Sequence, residues 1–399
     1  MSKAVSSLAD LSTGAQDFAE RVVAWQRRYG RHGLPWQGTR DPYRIWLSEI
    51  MLQQTQVSTV LRYYGRFLER FATVADLANA GVEEVLALWS GLGYYSRARN
   101  LHACAQAVLA RHGGRFPTDA AVLESLPGIG RSTAAAIAAF SAGQRVAILD
   151  GNVKRVLARH RAFGQDVATP AGLRALWDLA QTLLPSGAGI QAYTQGLMDL
   201  GATVCVRSRP QCGHCPVQAD CIAHAQGRPQ DFPVKSRRMK RGVRSSVLLM
   251  ALRPGMPQVL LQRRPPSGIW GGLWTLPVFD DDAQLEAALA MTAVTAVTVV
   301  GSADGQPQTG PAWEALPTVH HALTHLDWAL QPRRLWVADA RGARALTAAL
   351  AQALRPSVDS GPAQSAEADL CWMGLQEALA CGLPAPIRVL LEAQSATLG

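Results

Sequence analysis

At 399 residues the chain exceeds what one hydrophobic core usually serves, so two domains are expected. Apolar residues make up 48% and charged residues 17%, a balance that excludes an intrinsically disordered chain. The formal net charge of +9 points to a polyanionic partner, although charge alone does not separate DNA from RNA or a membrane surface.

The first 14 residues carry Asp10 and no apolar run of signal-peptide length, so they are expected to be a disordered N-terminus and not a secretion signal. Residues 15–230 are expected to form a mainly helical domain. Phe18, Val22, Val23 and Trp25 share one face of a first helix, and apolar residues from Tyr43 to Phe71 recur at helical spacing as two more. Tyr94–His112 and Leu173–Leu184 repeat the pattern, with Gly30, Gly81, Gly113, Gly114, Pro117, Pro170 and Pro185 marking stops and starts. No strand-like alternation interrupts this part.

Residues 231–244 read as an exposed basic linker. From Phe232 to Phe279 there are nine Lys or Arg residues and no acid, enough to match the net charge of the whole chain. Residues 245–399 then mix β-like runs (Ser246–Leu252, Gln258–Gln262, Leu335–Ala338) with helical segments (Asp282–Ala290, Ala343–Leu354), which predicts a smaller α+β domain. Gly301–Pro311 reads as a loop. The longest uncharged run, Ala287–Ala303, falls short of the ~20 strongly apolar residues of a membrane helix. A cytoplasmic protein without a membrane segment is expected.

Four of the seven cysteines lie close together: Cys205, Cys212, Cys215 and Cys221, spaced C-x6-C-x2-C-x5-C. In a reducing compartment such a cluster points to metal, whereas the scattered Cys104, Cys371 and Cys381 read as inert thiols. Four thiolates suit an iron–sulfur cluster or zinc. Zinc sites usually use two Cys-x2-4-Cys pairs separated by a longer spacer, which this run lacks.

Leu126-Pro127-Gly128-Ile129-Gly130-Arg131 separates one helical segment from an alanine-rich one. Gly128 and Gly130 let the backbone turn tightly and come close to another molecule. Their N–H groups and the following helix N-terminus form an anion site suited to a DNA phosphate. An ordinary helix–helix turn is the competing reading; the Leu-Pro lead-in and Arg131 favour a helix–hairpin–helix.

Two carboxylates stand out. Glu49 sits in an otherwise uncharged stretch from Trp46 to Gln56, and Asp150 follows the apolar run Val146–Leu149. Taken singly, each has an ordinary explanation: Asp150 would cap the next helix, and Glu49 could be a paired surface acid. As a pair they match glycosidic bond cleavage, in which one acid protonates the leaving group and one carboxylate stabilises positive charge on the sugar. A desolvated Glu49 could hold its proton near neutral pH.

These motifs, in this order, resemble the endonuclease III superfamily of helix–hairpin–helix DNA glycosylases, and within it the MutY-type adenine glycosylases. The resemblance is carried over nearly the whole chain by Leu34-Pro35-Trp36, Trp46 to Val57, Gly91 to Arg99, Asp150 to Arg155, Met198 to Gly201 and the cysteine spacing. It implies a 4Fe–4S cluster on the loop 205–221, and a bacterial-type, nucleoid-associated monomer acting on double-stranded DNA. The substrate it implies is adenine mispaired with 8-oxoguanine or guanine, removed in base excision repair. By motif position, Glu49 would protonate N7 of the extruded adenine, Asp150 would stabilise the oxocarbenium-like sugar, and Asn152 would help order the site. Trp36, Arg31 and Gln195 would line the adenine pocket. Gln53, Gln54 and Tyr94 would wedge into the base stack, offsetting part of the few kcal/mol that flipping costs. The bifunctional lyases of the superfamily place a Schiff-base lysine where this chain has Ser132, so a monofunctional glycosylase is predicted, with Lys154 as a phosphate contact.

The second domain resembles the Nudix-like C-terminal domain of the same family through Arg264 to Trp274 and Pro277. The Glu-rich helix of a working Nudix hydrolase is missing from Asp280–Ala290, which argues against hydrolysis. The family's Phe-Ser-His lesion-reading loop aligns with Leu323, Thr324 and His325, so Thr324 and His325 are carried over and the aromatic ring is not. An endonuclease III-type glycosylase/lyase and a non-enzymatic DNA-binding iron–sulfur protein are the alternative readings.

Overall fold

A computed structural model describes residues 8–236, 241–253, 255–291, 313–354 and 369–398. The chain forms two compact units. The first comprises residues 1–79 and 100–238, and the second residues 80–99 and 239–399.

The first unit is helical. In chain order it contains α1 (Leu8–Tyr29), α2 (Pro42–Leu52), α3 (Val57–Arg70) and α4 (Val74–Asn79). Next come α5 (Val82–Trp89), which belongs to the second unit, and α6 (Ser96–His112), whose first turn does too. Then follow α7 (Ala120–Glu124), α8 (Arg131–Ala142), α9 (Gly151–His160), α10 (Pro170–Thr182), α11 (Ile190–Asp199) and α12 (Ile222–Ala225). Five of them share one core, in which Phe18 and Val22 of α1, Ala135 and Ala139 of α8, Val153 and Leu157 of α9, Leu176 of α10 and Leu197 of α11 are buried. Side-chain caps set several helix starts. Asp41 accepts from the Tyr43 N–H, Asp119 from those of Ala121 and Val122, and Thr169 from that of Gly172. Each such cap is worth about 1 kcal/mol.

The second unit holds a mixed sheet and further helices. Its strands are β1 (Gly242–Arg253), β2 (Gln258–Arg263), β3 (Trp274–Thr275), β4 (Val278–Phe279), β5 (Glu314–Ala315), β6 (Val319–Ala322), β7 (Leu326–Trp336) and β8 (Leu370–Gly374). The main path runs β3-β2-β1-β7-β5, with β8 paired to β2, β4 to β1 and β6 to β7. Only β1 and β7 run parallel, in register from Gly242↔Leu326 to Leu252↔Trp336; the other described pairs are antiparallel. Helices α13 (Asp282–Ala290), α14 (Ala340–Ala353), α15 (Leu375–Ala380) and α16 (Ala385–Leu398) complete the unit. Leu285, Leu346 and Leu350 of α13 and α14 pack on Val247, Leu249 and Leu260 of the sheet.

Three boundaries differ from the sequence reading. Helix α1 begins at Leu8, inside the segment expected to be disordered. No proline stops the hydrogen-bonded run there, and the lone Gly14 costs only about 1 kcal/mol. Strand β1 begins at Gly242, inside the expected linker, because pairing with the long β7 recruits its backbone although the Val243 side chain is 86% exposed. Strand β7 starts at Leu326, well before the expected Leu335, since Asp327, Arg333 and Arg334 mask its alternation. The expected loop Gly301–Pro311 lies outside the described residues. Among the described residues no helix is long and apolar enough to cross a membrane.

Candidate active site

Helix α2, the turn that follows it and the starts of α8 and α9 line one cleft of about 1550 Å³ in the first unit. Eight of the residues singled out from the sequence share its wall: Arg31, Trp36, Glu49, Gln53, Gln54, Asp150, Asn152 and Gln195. They come from four separate stretches of chain, so only the fold brings them together.

Glu49 sits on α2 between the buried Ser48 and Ile50. Burial, reinforced by the negative charge of Asp150, pushes its carboxyl up to about 8. This is the desolvation shift that keeps a carboxylic acid protonated at neutral pH. Asp150 is the N-cap of α9, its Oδ1 accepting from the Val153 N–H at 2.8 Å. Burial raises its carboxyl as well, but the N–H groups of Val153 and Asn152 and the charges of Arg155 and Lys154 oppose that rise. The two acids therefore differ in kind: one is held by apolar burial, the other by donors that favour its anion.

Asn152 follows on α9. A Cβ on Gly201 would stand 2.5 Å from the Asn152 Cβ, so only glycine lets these segments approach so closely. Arg155 donates to Asn152 Oδ1 (2.8 Å), to the Gly201 carbonyl (2.6 Å) and to the Cys205 carbonyl (2.7 Å), tying the start of α9 to the chain leading into the cysteines. Gln53 closes α2 and donates through Nε2 to Thr133 Oγ1 at 3.3 Å. Gln54, next to it, has a left-handed backbone (φ 58°), a strained state of the kind found at functional sites. Ser132 Oγ accepts from the Leu149 N–H at 2.9 Å and so fixes the strand-like run that delivers Asp150.

Arg31 and Gln195 meet at a residue to which the sequence reading gave no role. Asp199, the last residue of α11, is fully buried and receives Arg31 Nε (2.6 Å), the Arg31 N–H (2.9 Å) and Gln195 Nε2 (2.9 Å). Its signal was present: between Ile190 and Val204 it is the only charged residue.

The remaining predicted residues lie elsewhere. Gly128 (φ 75°) and Gly130 form the hairpin between α7 and α8, and Gly130 caps α8 with no side-chain bond. Lys154 is half-buried on α9, its ammonium lowered by burial and by the neighbouring Lys235. Tyr94 belongs to the second unit, where its hydroxyl meets Thr324 Oγ1 at 2.7 Å. It too is left-handed (φ 47°) and 45% exposed, with the Arg97 guanidinium 5.5 Å from its ring centre. His325 is exposed at the β6–β7 turn, and its carbonyl accepts from the Gly242 N–H.

Cys205, Cys212, Cys215 and Cys221 surround one small, apolar cavity. Arg159 Nη1 lies 3.5 Å from Cys205 Sγ and also donates to the Val206 carbonyl, while Nη2 donates to the Arg207 carbonyl and Nε to that of Phe232. Asp220, beside the last cysteine, is paired with Arg21 of α1 at 2.8 Å. Burial pushes the Cys215 thiol up to about 12 and raises those of Cys212 and Cys221. Buried thiols of this kind ionise only against strong positive charge. Four thiols around one cavity are a donor set that fits an iron–sulfur cluster.

A family model described as HhH-GPD superfamily base excision DNA repair protein matches residues 47–182, and a NUDIX domain model matches residues 248–393. The adenine DNA glycosylase of Buchnera aphidicola subsp. Baizongia pistaciae is 36% identical over 264 residues, which is 66% of this chain and 74% of that protein. The chain belongs to the adenine DNA glycosylase family. The rat family member is 39% identical over 323 residues, covering 68% of this chain and 61% of its own length. The chain thus spans less than two thirds of that relative. A solved thermostable thymine-DNA glycosylase aligns at 28% identity over 54% of this chain and 99% of its own, with a TM-score of 0.49. In this family setting the first unit is the helix–hairpin–helix part and the second the Nudix-like part.

Proposed function

We propose that this protein is a monofunctional DNA glycosylase that removes adenine mispaired with 8-oxoguanine or guanine in base excision repair. One observation carries the reading: a single cleft holds Glu49, its carboxyl pushed up to about 8, together with a second carboxyl, Asp150, stabilised by helix N–H groups. With adenine flipped into the cleft, Glu49 gives its proton to N7 and the C1′–N9 bond breaks, the electron pair leaving with the base. The Asp150 carboxylate faces the positive charge that develops at C1′, with Asn152 packed behind it, and water adds there with loss of a proton. Trp36, Arg31 and Gln195 hold the base, while Gln53, Gln54 and Tyr94 fill the gap it leaves in the stack. Gly128, Gly130 and Lys154 contact phosphates.

The first unit carries this chemistry, and the second, from β1 at Gly242 onwards, reads the lesion through Thr324 and His325. Cys205, Cys212, Cys215 and Cys221 would hold a 4Fe–4S cluster, which when bound cross-links the loop 205–221. Arg207 and Arg209 on that loop would then face the DNA backbone. The protein acts as a nucleoid-associated monomer. Ser132, engaged with the Leu149 N–H, supplies no amine for a Schiff base, so the abasic site is left intact.

The test is base release from a duplex with adenine opposite 8-oxoguanine. Wild-type protein frees adenine and gives no adduct on borohydride treatment, and Glu49→Gln protein frees none at a comparable rate. Equal behaviour of the two proteins would overturn the assignment, and a lysine-dependent trapped adduct would favour a lyase.

A further inference from the structure

We propose that Asp199 sets the base selectivity of the cleft by holding the Gln195 amide with its oxygen towards the bound base. The inference rests on the adenine-glycosylase reading above and deepens it. Asp199 is fully buried, and its two oxygens are engaged: Oδ1 by Arg31 Nε and Gln195 Nε2, Oδ2 by the Arg31 N–H. Arg31 and Gln195 line the cleft, and Asp199 stands behind them.

A primary amide can present either its oxygen or its NH₂ group, and by itself a glutamine would read both. A carboxylate accepts hydrogen bonds and cannot donate them. Facing Asp199, the amide must therefore turn its nitrogen inward, which leaves Oε1 as the acceptor shown to the cleft. The same carboxylate uses the Nε donor of Arg31 and leaves its four Nη donors for a ligand. The wall thus offers an acceptor beside a donor. The Watson–Crick edge of adenine has the complementary order, an N6 amine that donates and an N1 that accepts. Hypoxanthine has the reverse, an O6 that accepts and an N1–H that donates. Sites built to bind one pattern leave buried polar groups unpaired against the other, which is where strong discrimination arises. Asp199 acts through its neighbours and is a positioning residue.

Asn at position 199 can donate as well as accept, so the Gln195 amide is free to flip. The experiment compares single-turnover release of adenine and of hypoxanthine, each opposite 8-oxoguanine in the same duplex, for wild type, Asp199→Asn and Gln195→Leu. Gln195→Leu removes the amide but leaves the Asp199–Arg31 pair, so it reports even where Asp199→Asn fails to fold. Circular dichroism and melting identify the folded variants. The expected result is an adenine-to-hypoxanthine rate ratio about tenfold or more lower in each folded variant than in wild type, on the discrimination a lost hydrogen-bond pattern confers. A variant that is slower overall but keeps the wild-type ratio overturns the inference and leaves the activity standing. Wild-type protein that frees no adenine overturns both.

Discussion

Glu49 in the helical unit and four acids of the Nudix-like unit live in opposite circumstances. Those four each meet an arginine: Asp282 takes Arg333 with both oxygens, Glu314 takes Arg334, Asp280 takes Arg244 and Asp327 takes Arg241. Such pairs are worth at most about 1 kcal/mol each. In the helical cleft half-buried Glu49 has its carboxyl desolvated beside another negative group, and its proton affinity rises accordingly. Acid count does not locate chemistry here. What matters is which acid is buried without a compensating cation.

The sharpest way to break that contrast is to remove the buried acid. Glu49→Gln should lower adenine release by about 10³-fold, within the usual 10²–10⁴ span of general acid catalysis. Asp150→Asn should do comparable damage, whereas Asp282→Asn should leave release unchanged. Single-turnover assays on one duplex compare all three.

The same acid has a pH signature. Release should fall about tenfold per unit once the pH passes about 8, where Glu49 loses its proton. The stability effect has a definite sign. The folded-state value lies above the unfolded one of ~4.3, so folding takes up a proton and stability falls as pH rises from there through about 8. Glu49→Gln should abolish that slope and melt a few degrees higher than wild type at pH 8.

Backbone demands give the next largest effect. Gly128→Ala would place a Cβ 2.6 Å from the Asn100 Cβ at a φ of 75°, and should cost about 2 kcal/mol or more in a denaturant melt. The smallest change belongs to the Nudix-like unit. Thr324→Val removes the 2.7 Å contact with Tyr94, worth about 1 kcal/mol, and should weaken binding to the 8-oxoguanine mispair about fivefold with release of bound adenine little changed. Gel-shift titration reads this, and a large loss of turnover would show that the lesion-reading residues take part in the chemistry.

Much of the helical unit was legible because period and punctuation agree: Pro170 starts a helix, and Asp150 caps one. Glu49 and Asp150 could be picked out because each stands alone in an apolar stretch. Asp199 has the same isolation, yet its meaning depends on Arg31 and Gln195, one of them 168 residues away, and no local pattern announces that meeting. The placement of Tyr94 was illegible for a like reason. Its helical surroundings suggest the first unit, while its contact with Thr324 and the bonds of its neighbours, from Tyr95 to the Leu383 carbonyl and from Arg99 to the Gly271 carbonyl, lie in the second. The start of β7 was hidden because parallel pairing with β1 fixes where it begins, and its own side chains do not.

The division of residues 1–79 and 100–238 from 80–99 and 239–399 means that the chain passes between units three times. A protease cutting once near residue 238 would therefore not release two intact pieces. The N-terminal fragment would keep α5 and the Tyr94 turn but lose their packing partners, among them Arg263, which pairs with Glu83, and Arg388, which donates to Ser90 at 3.0 Å. The C-terminal fragment would lose one wall of its own fold. Limited digestion of this protein should thus trim termini and loops long before it yields a stable half.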